Sequence, residues 1–209
     1  MDYVEYLYEI TPSREYGKVE ETPHKTRISK YRPPMEAYHY AHMDMAIRYA
    51  LMSHAQKDIV GAVAARGAHP LLGSYNGTLP GQDNSCEYPD GSTRPGVLHA
   101  EQNLVGTASR ENICTNKGSL YITRRPCESC LDMVAVAGFK EIFYLFGNEE
   151  GNNDHLLRAL KYGIKIYRMV PLSYLKLYEE FLEERKLRKD KLELSVKKWK
   201  EDLASGDLF

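Results

Sequence analysis

Ser119-Leu120-Tyr121-Ile122-Thr123-Arg124-Arg125-Pro126-Cys127-Glu128-Ser129-Cys130 reads as a strand that runs directly into a helix. Tyr121, Ile122 and Thr123 are aromatic and β-branched residues that favour extended backbone. Pro126 suits the first turn of a helix, where its missing N–H leaves no bond unmade. Cys127 and Cys130, three residues apart, then share one face of that turn. A C-x-x-C pair by itself serves a structural metal or a redox couple as readily as a catalytic site. His99-Ala100-Glu101 changes the balance, because the segment from His99 to about Ser109 also reads as a helix and aims a second N-terminus at the same point. The positive ends of two helix dipoles favour thiolates there. One imidazole and two thiolates make a three-ligand zinc site, and zinc held by three protein ligands keeps a place for water. The expected metal ligands are therefore His99, Cys127 and Cys130, with Glu101 as the catalytic proton carrier rather than a ligand.

The flanking sequence alternates strands and helices. Glu36 to about Ala55 is helical, with Ala41, Met45, Ile47, Ala50, Leu51 and Met52 at helical spacing. Val60 to Ala65 and Leu71 to Tyr75 read as two strands of a hairpin across Gly67-Ala68-His69-Pro70. A long loop rich in Gly, Asp, Asn, Ser and Pro runs from Asn76 to Leu98, and loops of that length are functional or disordered. After the quoted stretch, Glu141 to Phe146 is a strand, Asp154 to Lys161 a helix and Ile164 to Arg168 a last strand. This order predicts a layered α/β domain over residues 35–170. Residues 1–34 form an arm interrupted by Pro12, Pro23, Pro33 and Pro34, too weakly periodic to assign. Residues 171–209 form a charged helical extension. Its apolar stripe of Tyr178, Phe181, Leu182, Leu192, Val196, Trp199 and Leu203 reads first as a face packed on the protein's own core, and otherwise as an oligomer contact. Its lysines and arginines are interspersed with glutamates, the pattern of a solvated face.

With 209 residues the chain can bury a sizeable core, and its net charge of −1 argues against a general nucleic-acid binder. No signal-peptide pattern and no apolar run of membrane-spanning length stand out, so a reducing, cytoplasmic setting is the default for the four cysteines. Cys114 reads as a core thiol and Cys86 as a free or buried one.

The order H-x-E followed by P-C-x-x-C is the signature of zinc nucleobase deaminases. Over roughly Met43 to Arg168 the chain resembles the deoxycytidylate (dCMP) deaminase family within the cytidine deaminase-like fold. The likeness is carried by Val60-Gly61-Ala62-Val63, by Tyr75-Asn76-Gly77 with Gly81, and by His99-Ala100-Glu101-Gln102-Asn103. It continues in Ser119 to Thr123 ahead of Pro126-Cys127 and in Ala137-Gly138-Phe139-Lys140. The resemblance implies a three-layer α/β/α domain around a five-stranded mixed sheet, one catalytic Zn2+ per chain, and hydrolytic deamination of a free pyrimidine deoxynucleotide. That reaction is dCMP to dUMP plus ammonia, which feeds thymidylate synthesis; dCTP, a modified deoxycytidylate or a nucleoside is the alternative substrate, and nucleic acid a weaker one. It also implies a homo-oligomer, hexamer or dimer, and a contact from Asn76 to the sugar or base, although Asn-Gly is equally a tight turn.

The sequence departs from the family in two places. Leu79 stands where the family's loop proline falls and Pro80 comes one residue later, in the loop where relatives bind regulatory dCTP or dTTP, an effector that Mg2+ could accompany. Arg124-Arg125 precede the P-C-x-x-C, and two guanidiniums so placed suit a 5′-phosphate, or else pair with Glu128, Asp132 or other carboxylates. Arg94 is a further phosphate candidate. Some relatives carry a second, structural metal, for which Cys86 with His54 or His69 is the candidate set.

Overall fold

The computed structural model describes residues 3–15, 17–27, 37–147, 153–170 and 175–205. Its elements are β1 (Tyr3–Pro12), β2 (Val19–Arg27), α1 (Ala37–Met52), β3 (Gly61–Arg66), β4 (His69–Tyr75), α2 (Ala100–Arg110), β5 (Ser119–Arg124), α3 (Glu128–Val136), β6 (Glu141–Phe146), α4 (Asp154–Lys161), β7 (Lys165–Met169) and α5 (Leu175–Ser205). The strands form one mixed sheet in the order β2-β1-β7-β6-β5-β3-β4. β5, β6 and β7 are parallel and joined through α3 and α4, whereas β3 runs antiparallel to both β4 and β5.

Side chains alternate across this sheet with the strand period of two. On β3, Ala62 and Ala64 enter a core with Leu104 of α2, Val134 of α3 and Leu156 of α4. Val63 and Ala65 enter the opposite core with Met43, Ala46 and Ile47 of α1 and Phe181 of α5. The result is the expected α/β/α layering, with α2, α3 and α4 on one face and α1 and α5 on the other. Of the α5 stripe, Phe181 is fully buried, Leu182 and Leu203 are exposed, and Leu192, Val196 and Trp199 are half-buried; the side chain of Tyr178 lies outside the described residues.

The sheet has seven strands instead of five. β1 pairs antiparallel with β7, setting Leu7 beside Met169 and Ile10 beside Ile166, and β2 closes a hairpin on its outer edge. The arm was unreadable because Leu7 and Ile10, three residues apart, point into opposite cores, and the register is broken between Val4 and Leu7. Neither face of β1 therefore shows an alternating pattern. Cys114 corrects a second expectation: it is exposed in the turn before β5, not part of the core.

The close approach of α1 explains Gly61. A Cβ there would fall 2.0 Å from the carbonyl oxygen of Ala46 and 2.4 Å from the amide nitrogen of Ala50, both backbone atoms that cannot swing aside. Gly61→Ala is expected to cost about 3 kcal/mol through overpacking, a fall of roughly 6–12 °C in Tm for a chain of this size. Thermal denaturation checks it, and an unchanged Tm would show that α1 does not lie on β3 as described.

Asp44, on the same helix, gives the fold a pH dependence. Its Oδ1 is buried without a hydrogen-bond partner among the described residues. Burial pushes its pKa up from 3.8 to about 6, against a smaller downward pull from Arg48. A carboxyl with a raised pKa holds a proton in the folded state that the unfolded chain releases, so stability is lost as pH rises from about 4 through 6. Asp44→Asn is expected to flatten that decline and to raise Tm at pH 7.5 but not at pH 4, as read by melting curves at the two pH values.

Candidate active site

β5 and β6 are parallel, so their carboxyl ends at Arg124 and Phe146 open on one edge of the sheet. β3 runs the other way, which brings its first residues to the same edge. A crevice at the carboxyl ends of parallel strands, beside a reversal of strand direction, is where open α/β sheets bind ligands. A cleft of about 1100 Å³ opens there, lined among others by Asp58, Asn76, His99, Glu101, Arg124, Arg125, Cys127 and Arg185.

The two helix starts project the proposed donors into this cleft. His99 is the N-cap of α2, in extended conformation, with its backbone N–H given to the Gln102 Oε1 at 2.9 Å. Cys127 is the N-cap of α3, likewise extended, and Cys130 lies buried in the first turn. His99 Nδ1 is 3.6 Å from Cys127 Sγ and 3.4 Å from Cys130 Sγ, and the three donor atoms all lie within 4.8 Å of one another. Zn–S bonds of ~2.3 Å and a Zn–N bond of ~2.0 Å in a tetrahedron give N–S edges of roughly 3.5 Å. The donor set therefore fits zinc in type and spacing.

Electrostatics agree. Hydrogen bonds from Cys130 and His99 pull the Cys127 thiol down to about 3, and the bond to Cys127 in turn raises His99. Cys130, beside that thiolate and buried, is pushed strongly upward. Of the two thiols Cys127 gives up its proton first, and a second thiolate at Cys130 calls for a cation within bonding reach, the condition a divalent metal meets. Among the described residues no other group of three or more His, Cys, Asp or Glu side chains comes this close, so Cys86 with His54 or His69 forms no second donor set.

Glu101 is 3 % exposed, and burial pushes its carboxyl up to about 7. It lies on the first turn of α2, two residues past His99, with its charge felt by His99 and Cys127. A carboxyl poised near neutral pH inside a closed site is suited to taking and giving a proton.

The other residues singled out from sequence are placed unequally. Asn76 lines the cleft, but its amide is engaged: Oδ1 accepts from the Val60 N–H at 2.8 Å and Nδ2 donates to the Asp58 carbonyl at 2.8 Å. Arg124 pairs with Asp58. Arg125 lines the cleft and donates to the neutral Asn153 Oδ1 at 3.2 Å. Arg94 is drawn away, bonded to the Glu87 carbonyl at 3.1 Å, 3.7 Å from Asp83 and 5.1 Å from the centre of the Tyr88 ring. It is not among the cleft-lining side chains. The carboxylates suggested as partners for Arg124 and Arg125, Glu128 and Asp132, are instead held by Arg158.

Four contributors were missed. Asp58, 15 % exposed, ties Arg124 to Arg185 of α5, at 2.6 Å for the latter. Arg185 itself stacks 4.2 Å over the Phe146 ring. His155 faces the cleft from the start of α4, its pKa lowered by burial and then by Arg125. Arg188, one turn on, donates to the carbonyls of Ser53 and Ala55 and fixes α5 across the opening. The signal for α5 was present in the i, i+4 spacing of Arg185 and Lys189, but Glu183 and Glu184 before them and Asp190 after them hid it.

Residues 36–146 match the family described as the cytidine and deoxycytidylate deaminase zinc-binding region. The deoxycytidylate deaminase of Schizosaccharomyces pombe is 30 % identical over 155 residues, covering 68 % of this chain and 46 % of that protein. The ComE operon protein 2 of Bacillus subtilis is 30 % identical over 99 residues, covering 46 % of this chain and 52 % of that protein. The chain thus spans about half the length of these two relatives. Among solved structures, the dCMP deaminase of cyanophage S-TIM5 in complex with dCMP and dUMP superposes with a TM-score of 0.59 at 28 % identity, covering 68 % of this chain and all of that one. No helix among the described residues is long and apolar enough to cross a membrane.

Proposed function

This chain belongs to the cytidine and deoxycytidylate deaminase family, and we propose that it is a zinc enzyme that converts dCMP and water to dUMP and ammonia. The observation that carries the proposal is the buried Glu101 beside the His99, Cys127 and Cys130 donors in one cleft. Those three side chains would hold one zinc ion per chain. Zinc so bound lowers the pKa of water to near 7 and so supplies a hydroxide nucleophile at neutral pH.

The protein's own groups manage the protons. Glu101 accepts one from the attacking water and delivers it to N3 of the cytosine ring as oxygen adds to C4. It then takes the proton of the new C4 hydroxyl and passes it to the exocyclic nitrogen, the C4–N bond breaks with its electron pair leaving on nitrogen, and C4 becomes the carbonyl of uracil. Burial keeps this carboxyl from being clamped in the charged state. Asn76 has one amide hydrogen beyond its bond to Asp58, and that hydrogen is the group offered to base or sugar. Arg125 meets the 5′-phosphate with a guanidinium that, among the described residues, is bonded to a neutral amide, whereas Arg124 is already matched by Asp58.

The deaminase unit is residues 35–170, flanked by segments 1–34 and 171–209, from which β1 and β2 extend the sheet and α5 forms one wall of the cleft. Self-association as a hexamer or dimer, and a cytoplasmic setting, complete the reading. Support for the substrate comes from the names of the relatives and the dCMP-bound neighbour. Incubating the purified protein with dCMP, dCTP, deoxycytidine and adenosine, and measuring ammonia, tests it. Release from dCMP is expected and none from adenosine; release from adenosine alone would overturn the pyrimidine assignment.

A further inference from the structure

The cleft-facing side of α5 carries charge that the reaction above does not use. Arg185, Lys186 and Lys189 line the cleft together with Lys57 from the loop before β3. Lys57 and Lys189 also line a neighbouring groove of about 380 Å³, which continues along α5 past Lys197 and Lys200. Among the α5 side chains that line the two cavities, Glu193 is the only acid, although the helix as a whole mixes both signs. The helix thus gathers basic side chains on the face it turns to the two cavities. Arg185 is matched by Asp58. Lys57, Lys186 and Lys189 form no ion pair among the described residues. The cleft, at about 1100 Å³, lies just above the roughly 300–1,000 Å³ usual for small-molecule pockets.

Lys57 and Lys189 stand where the cleft meets the neighbouring groove, whose lining includes none of His99, Glu101, Arg125 or Cys127, whereas Arg125 adjoins Pro126-Cys127 in the chain. We propose that Lys186 and Lys189, with Lys57, form an outer phosphate subsite, so that the cleft takes a deoxycytidine polyphosphate as well as the monophosphate. An inner guanidinium meets the first phosphate, and the outer ammonium groups, compact point charges on flexible stems, meet the oxygens of the phosphates that follow. This rests on the deaminase reading for the orientation of the nucleotide, with its base at Glu101.

The test compares the wild type with Lys186→Gln/Lys189→Gln. Both lysines are exposed, so their loss does not disturb the core. Lys191→Gln/Lys198→Gln serves as a control that removes the same charge from α5 away from both cavities. An exposed ion contact is worth up to roughly a factor of five. Loss of two is expected to raise KM for dCTP about tenfold, to move that for dCMP much less, and to leave deoxycytidine unaffected, with the change in KM rather than kcat. Calorimetric binding of dUTP, dUMP and deoxyuridine to the zinc-loaded protein reads the subsite without turnover, so it decides the proposal even if no substrate releases ammonia. Equal shifts for all three ligands, or no shift for the triphosphate, would overturn it. So would a loss confined to a single-stranded oligonucleotide probe, which would assign the lysines to a polymer.

Discussion

Glu101→Gln is expected to lower turnover of dCMP by about 10³-fold, within the range of general acid–base catalysis by a positioned side chain. The substitution preserves shape and removes only the ability to carry a proton. Glu101 stands outside the donor cluster of His99, Cys127 and Cys130, so zinc content is expected to stay at one per chain. Stability is expected to hold as well. The carboxyl is 3 % exposed with its pKa pushed up to about 7 by burial, so the site disfavours its charge and tolerates a neutral amide. Steady-state turnover, metal analysis and a melting curve on one preparation separate these quantities. Activity within a few-fold of the wild type would remove Glu101 from the mechanism.

Cys127→Ala is expected to abolish metal retention and activity together. Two remaining donors cannot hold zinc as three do, and the side chain is exposed at the mouth of the cleft, so its truncation leaves no core cavity. The variant is expected to purify with less than about a tenth of an equivalent of zinc and to show no turnover, while far-ultraviolet dichroism stays that of the wild type. A chelator acting on the wild type reproduces the loss and added zinc reverses it. A variant that kept its zinc would show that Cys127 is not a ligand.

The parts of the molecule that sequence made legible are those whose physics is local. A strand of Tyr121, Ile122 and Thr123 leading to a proline and two cysteines three apart carries its structure in a dozen residues, and β5 and α3 fall where that pattern puts them. The same holds for the β3–β4 hairpin, whose turn is closed by Gly67 at φ +58°. The donor cluster was readable because ligand chemistry requires those residue types, and the helix starts supply the geometry.

What stayed hidden depends on distant partners. β1 pairs locally with β2 but joins the main sheet through β7, more than 150 residues away, and Leu7 and Ile10 give each face a single anchor. Arg94 is close to His99 in sequence, yet Glu87, Asp83 and Tyr88 of its own loop hold it. Conversely, Arg185 is far from every motif, and Asp58 brings it to the cleft. Charge on α5 looks mixed along the chain and separates only when wound onto a helix and laid across the opening.

The central claim is that His99, Cys127, Cys130 and Glu101 make this cleft a hydrolytic deaminase site for deoxycytidylate. The most direct measurement is the joint yield of dUMP and ammonia from dCMP by the zinc-loaded protein, set against the same protein after chelation. The account predicts equal amounts of the two products, formed only with zinc present. Absence of both at substrate excess, with zinc bound and the fold intact, would contradict it.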